Sequence, residues 1–193
     1  MKVITINGND LVKLDLGCSN KKRDGYLGLD ICPHDCVDIV ADLSKDGIPL
    51  GNKTIDELYT SHCLEHIPQN EIPFVWHEVH RACKTGAKVI FRLPYYANAK
   101  ALTLISHITL FSERTFMASK FFCNRFDIKK IKFNYVPEWQ DKPSAEQEFA
   151  RIHYMNVVFD FEVICINKEF IPWKQAERKF APREFISIQK HIK

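Results

Sequence analysis

Apolar residues recur along this chain in two rhythms. Short runs bounded by turn residues, at 11–16, 27–30, 37–41 and 57–61, predict strands. Over 69–84 the period lengthens: Ile72, Val75, Trp76, Val79, Ala82 and Cys83 fall at helical spacing, with Asn70 as a cap, Pro73 in the first turn and Gly86 as a stop. His77 and His80 lie off that stripe and are expected on a solvated face. Residues 87–93 are apolar except for Lys88 and Arg92, the pattern of a strand covered on both faces. Residues 94–111 read as a loop with a short apolar helix, and Ser112 caps a helix reaching about Phe122. The segments 126–136 and 156–166 alternate like antiparallel partners around a polar insertion, 137–155. Residues 3–6 precede Asn7-Gly8-Asn9-Asp10, a hairpin turn or a lead-in to the first core strand.

Placed on those elements, the charged residues fall in order. Leu14-Asp15-Leu16 runs into Gly17, the next strand ends at Asp30, the third acid is Asp42, and the fourth strand opens into His62-Cys63-Leu64-Glu65-His66. A glycine at a strand end lets backbone approach a ligand closely, and a carboxylate at the end of the neighbouring strand accepts hydrogen bonds from both hydroxyls of a ribose. The order points to a nucleoside cofactor. Only 12 residues separate Gly17 from Asp30, too few for a full helix, so 20–25 must be a tight basic loop or a single turn. That argues against a dinucleotide, whose pyrophosphate needs a helix N-terminus.

The succession LDLGCSN (14–20), GYLGLD (25–30), VADL (40–43), YTSHCLEHIP (59–68) and AKVIFRLP (87–94) resembles the class I S-adenosylmethionine-dependent methyltransferases. It is most similar to their small branch with a Ser-x-x-Leu-Glu-His-Ile signature, over roughly 11–165. The resemblance implies an α/β, Rossmann-like doubly wound sheet of about seven strands in the order 3-2-1-4-5-7-6, strand 7 antiparallel, with a shortened first crossover. It implies a single domain over 1–193 with its core at 11–166 and the tail 167–193 as a cap or an interface for oligomers. S-adenosyl-L-methionine would be held by Asp15, Gly17, Cys18, Ser19, Asp30, Ile31, Asp42, Leu43, Ser61 and His62. Ser19 stands where the family usually has a second glycine. The implied reaction is in-line methyl transfer to a small-molecule or sugar-type acceptor; the alternative is a binding or scaffold protein that keeps the fold without turnover. His62 and His107 are the candidate catalytic bases, Tyr95 and Tyr96 the candidate acceptor walls, and His66 is expected to stabilise its turn.

Composition narrows the remaining choices. At 193 residues the chain suits one domain, and a formal charge of +3 requires no nucleic acid partner. Seven irregularly spaced cysteines and no apolar leader suggest reduced thiols and a cytoplasmic protein. No apolar run approaches the ~20 residues of a membrane span. Cys32-Pro33-His34-Asp35-Cys36 lacks the second ligand pair of a structural zinc site, so no metal is expected there. Ser61-His62-Cys63-Leu64 after strand four is not the Asn-Pro-Pro-Tyr loop of nucleic acid amino methylases.

Overall fold

The computed structural model describes residues 3–7, 11–153, 155–169 and 187–191. In chain order the strands are β1 (Val3–Asn7), β2 (Lys13–Leu16), β3 (Leu27–Asp30), β4 (Ile39–Val40), β5 (Ile55–Ser61), β6 (Cys83–Pro94), β7 (Phe126–Tyr135), β8 (Val158–Asn167) and β9 (Ser187–His191). The helices are α1 (Ile72–Ala82), α2 (Ala99–Thr103), α3 (Glu113–Met117), α4 (Lys120–Cys123) and α5 (Ser144–Ile152). None is long and apolar enough to cross a membrane among the described residues.

Seven strands form one sheet in the order β4-β3-β2-β5-β6-β8-β7. Numbered among themselves they run 3-2-1-4-5-7-6, and the seventh, β8, is antiparallel to both neighbours, as expected. Leu14 and Leu16 of β2 are fully buried, because β3 and β5 take both its edges in parallel register. With both edges filled, β2 has no place for the hairpin partner considered above. β1 instead pairs in parallel with β9, from Val3 against Ser187 to Asn7 against His191. The rest of the expected tail cap, 170–186 and 192–193, lies outside the described residues.

The connections from β2 to β3, β3 to β4 and β4 to β5 contain no helix. In the first, the buried Asp15 carboxylate accepts the Arg23 N–H at 2.8 Å, and the Arg23 guanidinium lies 4.0 Å from the Tyr59 ring centre. Lys22 closes the loop by pairing with Asp38 at 2.6 Å. These contacts do locally what a crossover helix does elsewhere.

Helical structure concentrates beside β6. α1 is buried all round, which corrects the expectation of a wet face for His77 and His80. Its far side is covered by 48–52, where Arg81 bonds the Ile48 and Leu50 carbonyls at 2.7 and 2.9 Å, and by the end of β8, where the Glu169 carbonyl meets His80 Nε2 at 3.1 Å. Burial pushes both imidazoles down to about 4, so they stay neutral. The helix expected from Ser112 to Phe122 is divided into α3 and α4, because Ser119 caps a second start by accepting the Phe122 N–H at 3.2 Å. Phe91, Phe116, Phe122, Phe126 and Trp76 pack these pieces as an aromatic cluster, with centroids as near as 4.7 Å for Phe122 and Phe126.

Candidate functional site

A cavity of about 450 Å³ opens at the C-terminal ends of β2 to β5, lined by Gly17, Ser19, Leu29, Asp30, Ile31, Ala41, Asp42, Leu43, Ser44, His62, Cys63, His66 and Ile67. This is the strand edge at which open α/β sheets hold ligands. Gly17 forms its floor at φ +71°, and a Cβ there would lie 2.3 Å from Cys63 Sγ. Only glycine fits. The Gly17 and Cys18 amides both donate to the Leu29 carbonyl, at 2.8 and 3.2 Å, which draws the turn against β3.

Ser19 follows at φ +49°, the left-handed conformation that favours the glycine missing here. Its amide donates to Asp30 Oδ2 at 2.8 Å, and the Cys32 amide donates to Oδ1 at 2.9 Å. Each carboxylate oxygen thus has one backbone partner and a lone pair left for a ligand hydroxyl. Asp42 accepts from the Ser44 hydroxyl at 2.7 Å, the Ser44 amide at 3.0 Å and the Lys45 ammonium at 2.9 Å. Burial pushes its pKa up, but those donors outweigh burial and hold it below the usual carboxylate range.

The other rim gathers charge from distant segments. His62, at φ +50°, stands with Nδ1 3.4 Å from Glu65 Oε1 and Nε2 3.4 Å from Asp160 Oδ2. Asp160 is fully buried and also accepts from Arg92 Nε and Nη2, at 3.0 and 2.7 Å, and from Asn134 Nδ2. Burial raises the Asp160 pKa, yet His62, Arg92 and Asn134 together bring it below normal. The hydrogen bond to Asp160 and then the close Glu65 carboxylate lift His62 to about 9, against a smaller opposing effect of burial. At neutral pH this imidazole carries its proton.

Of the residues expected from sequence, Gly17, Ser19, Asp30, Ile31, Asp42, Leu43 and His62 meet in the cavity. Asp15 lies beneath it, turned to Arg23. Cys18 is buried beside it, its thiol pushed up to about 12 by burial and then by the Asp15 charge. Ser61 pairs with Arg92 in the sheet and does not reach the lining. Tyr95 and Tyr96 are not at the cavity wall. Tyr95 is buried against Phe133 and Phe161, at 5.9 and 5.7 Å, and Tyr96 packs on Tyr95 at 5.0 Å. His107 sits behind the lining, its Nε2 3.9 Å from Glu65 Oε1. Sequence reasoning passed over Cys63, Arg92 and Asp160. Nothing in the pattern set the last two apart, since Lys88 and Glu162 are charges on the same two strands.

No protein-family model matches the sequence, and no curated relative does. Solved structures do match. A SAM-dependent methyltransferase from Archaeoglobus fulgidus superposes with a TM-score of 0.59 at 17% identity, over 83% of this chain and 87% of that one. The fold is that of a class I S-adenosylmethionine-dependent methyltransferase. A second such structure, from Mesorhizobium loti, gives 0.57 at 17% identity over 83% and 93% of the two chains. Geranyl diphosphate C-methyltransferase from Streptomyces coelicolor A3(2), in complex with Mg2+, geranyl diphosphate and S-adenosyl-L-homocysteine, gives 0.57 at 13% identity over 84% and 75%. In this methyltransferase fold the cavity of the present chain occupies the strand edge bounded by Gly17, Asp30 and Asp42.

Proposed function

We propose that this chain is an S-adenosylmethionine-dependent methyltransferase acting on a small-molecule acceptor. The observation that carries the reading is the Asp30 carboxylate. It closes β3 at the cavity edge, is oriented by two backbone amides, and faces the cavity with lone pairs suited to a ribose diol. Gly17 to Ser19 would hold the amino-acid end of the cofactor, and Ile31, Asp42 and Leu43 the adenine. A volume of about 450 Å³ suits a ligand of this size.

When bound, the cofactor supplies an electrophilic methyl group on a sulfonium. The protein's task is to hold an acceptor atom in line with it, which by itself contributes much of the rate. His62 and His66 reach the cavity from the turn after β5, and in this reading they face the acceptor. As an imidazolium at neutral pH, His62 serves as a hydrogen-bond donor that orients the acceptor, and proton removal by it belongs to alkaline conditions.

Calorimetric titration with S-adenosylmethionine and S-adenosylhomocysteine tests the reading. Micromolar binding is expected, and Asp30→Ala should weaken it about tenfold or more, the scale of losing charge-assisted hydrogen bonds. Absence of binding by the unmutated protein overturns the proposal.

A further inference from the structure

Three donors meet behind the His62 rim that cofactor binding does not use. Glu65, His66 and His107 each place a ligand-capable atom within 4.8 Å of the others, the group of three that does so among the described residues. Glu65 is fully buried, yet neither carboxylate oxygen receives a hydrogen bond; its near neighbours are ring nitrogens of His62 and His107, at 3.4 and 3.9 Å. Protonated His62 and the nearby His107 nitrogen both approach Oε1, which leaves Oε2 buried without a partner, and burying a carboxylate oxygen in that way is costly.

The histidines are set up to supply lone pairs. His66 Nδ1 lies 2.9 Å from the Ser106 carbonyl, which can only accept, so Nδ1 holds the proton and Nε2 is left open. The His107 side chain is only 7% exposed, and its Nδ1 has no hydrogen-bond partner. The two segments are fastened together without spending any of these atoms. The Ile108 and Thr109 amides donate to the Glu65 carbonyl at 2.9 and 3.1 Å, and the Thr109 hydroxyl donates to the Ile67 carbonyl at 2.6 Å.

We propose that Glu65, His66 and His107 bind one divalent transition-metal ion of the zinc class. Two imidazoles and one carboxylate suit such an ion better than Mg2+ or Ca2+, which prefer oxygen throughout. Donors about 2.1 Å from a tetrahedral ion stand roughly 3.4 Å apart, so small ring rotations close the observed spacing. Because His66 also lines the cavity, the fourth coordination position opens towards it. That position takes water or an oxygen of the acceptor. The identity of this fourth ligand rests on the methyltransferase reading; the binding of the ion does not.

The test uses the full chain, stripped with EDTA and desalted, titrated with zinc chloride alone by calorimetry and with cobalt chloride by visible absorption. One ion per chain with micromolar or tighter affinity is expected, with the intense bands of four-coordinate Co2+. His66→Ala, at an exposed position, and His107→Gln should each lower zinc affinity by about 100-fold or more while circular dichroism stays unchanged. A Cys32→Ser, His34→Ala, Cys36→Ser variant should bind as the parent does. The proposal is overturned by absence of stoichiometric binding, by retention of affinity in both histidine variants, or by loss only in the cysteine variant; Glu65 is then simply the counter-ion of His62. Titrating the same stripped sample with S-adenosylmethionine separates the two readings, since cofactor binding without zinc binding defeats this one alone.

Discussion

The two rims of the cavity are both acidic, but they satisfy their carboxylates by opposite means. On the nucleoside rim, Asp30 is bonded by amides 11 and 2 residues away, and Asp42 by Ser44, 2 residues away. On the His62 rim, Asp160 draws on partners 26, 68 and 98 residues distant, and the Glu65 carboxylate accepts no hydrogen bond. Local turns that preset a carboxylate produce a site rigid before ligand arrives. A cluster assembled across the sheet couples the site to the packing of β5, β6 and β8.

The rims touch at Gly17 and Cys63, and breaking that contact should have the largest effect. Gly17→Ala puts a methyl 2.3 Å from Cys63 Sγ at a left-handed backbone position. A loss of about 2–4 kcal/mol in urea unfolding is expected, from conformational strain plus overpacking. Adding Cys63→Gly should return the overpacking share. An unchanged unfolding midpoint for Gly17→Ala would show that the rims do not meet.

A smaller and pH-limited effect distinguishes the charged rim from the buried helix. In protein freed of metal, His62 has a folded pKa raised from 6.5 to about 9, so its contribution is complete below pH 6.5 and fades as pH rises through 9. His77 and His80 are depressed to about 4, so theirs is complete above 6.5 and is lost as pH falls towards 4. The stability difference between parent and His62→Gln should therefore shrink from pH 6 to pH 10, while the parent itself weakens on the acid side. A difference that stays constant with pH would remove His62 from the ion cluster.

The least effect falls on the nucleoside rim. Ser19→Gly relieves a left-handed serine at the expense of a freer unfolded chain, a net gain of under about 1 kcal/mol. Thermal unfolding checks it. A clear loss would mean that the serine hydroxyl contributes contacts that the backbone argument omits.

The same contrast explains what the sequence disclosed. Strand ends at Gly17, Asp30 and Asp42 were readable because their geometry is set by neighbours in the chain, and the sheet order came with the family resemblance. Asp160, Arg92 and the pairing of Glu65 with His107 were not readable, because they depend on register between β6 and β8 and on a loop about 40 residues from its partner. His77 and His80 were misplaced for a related reason. A helix period shows which face is most apolar but not whether 48–52 and the end of β8 cover the other face as well. Tyr95 followed the central strand as expected, yet the β7 and β8 aromatics drew it into the core.

The short pairings of β3 and β4 have a consequence for local opening. The β6–β8 and β7–β8 ladders run over seven and nine register pairs, whereas β3 meets β2 over three and β4 over only two. Amides of β3 and β4 should then exchange with solvent well before those of β6 and β8. Because the cavity is built on that lightly paired edge, a ligand would act as its missing scaffold, slowing exchange there in proportion to its concentration over its dissociation constant.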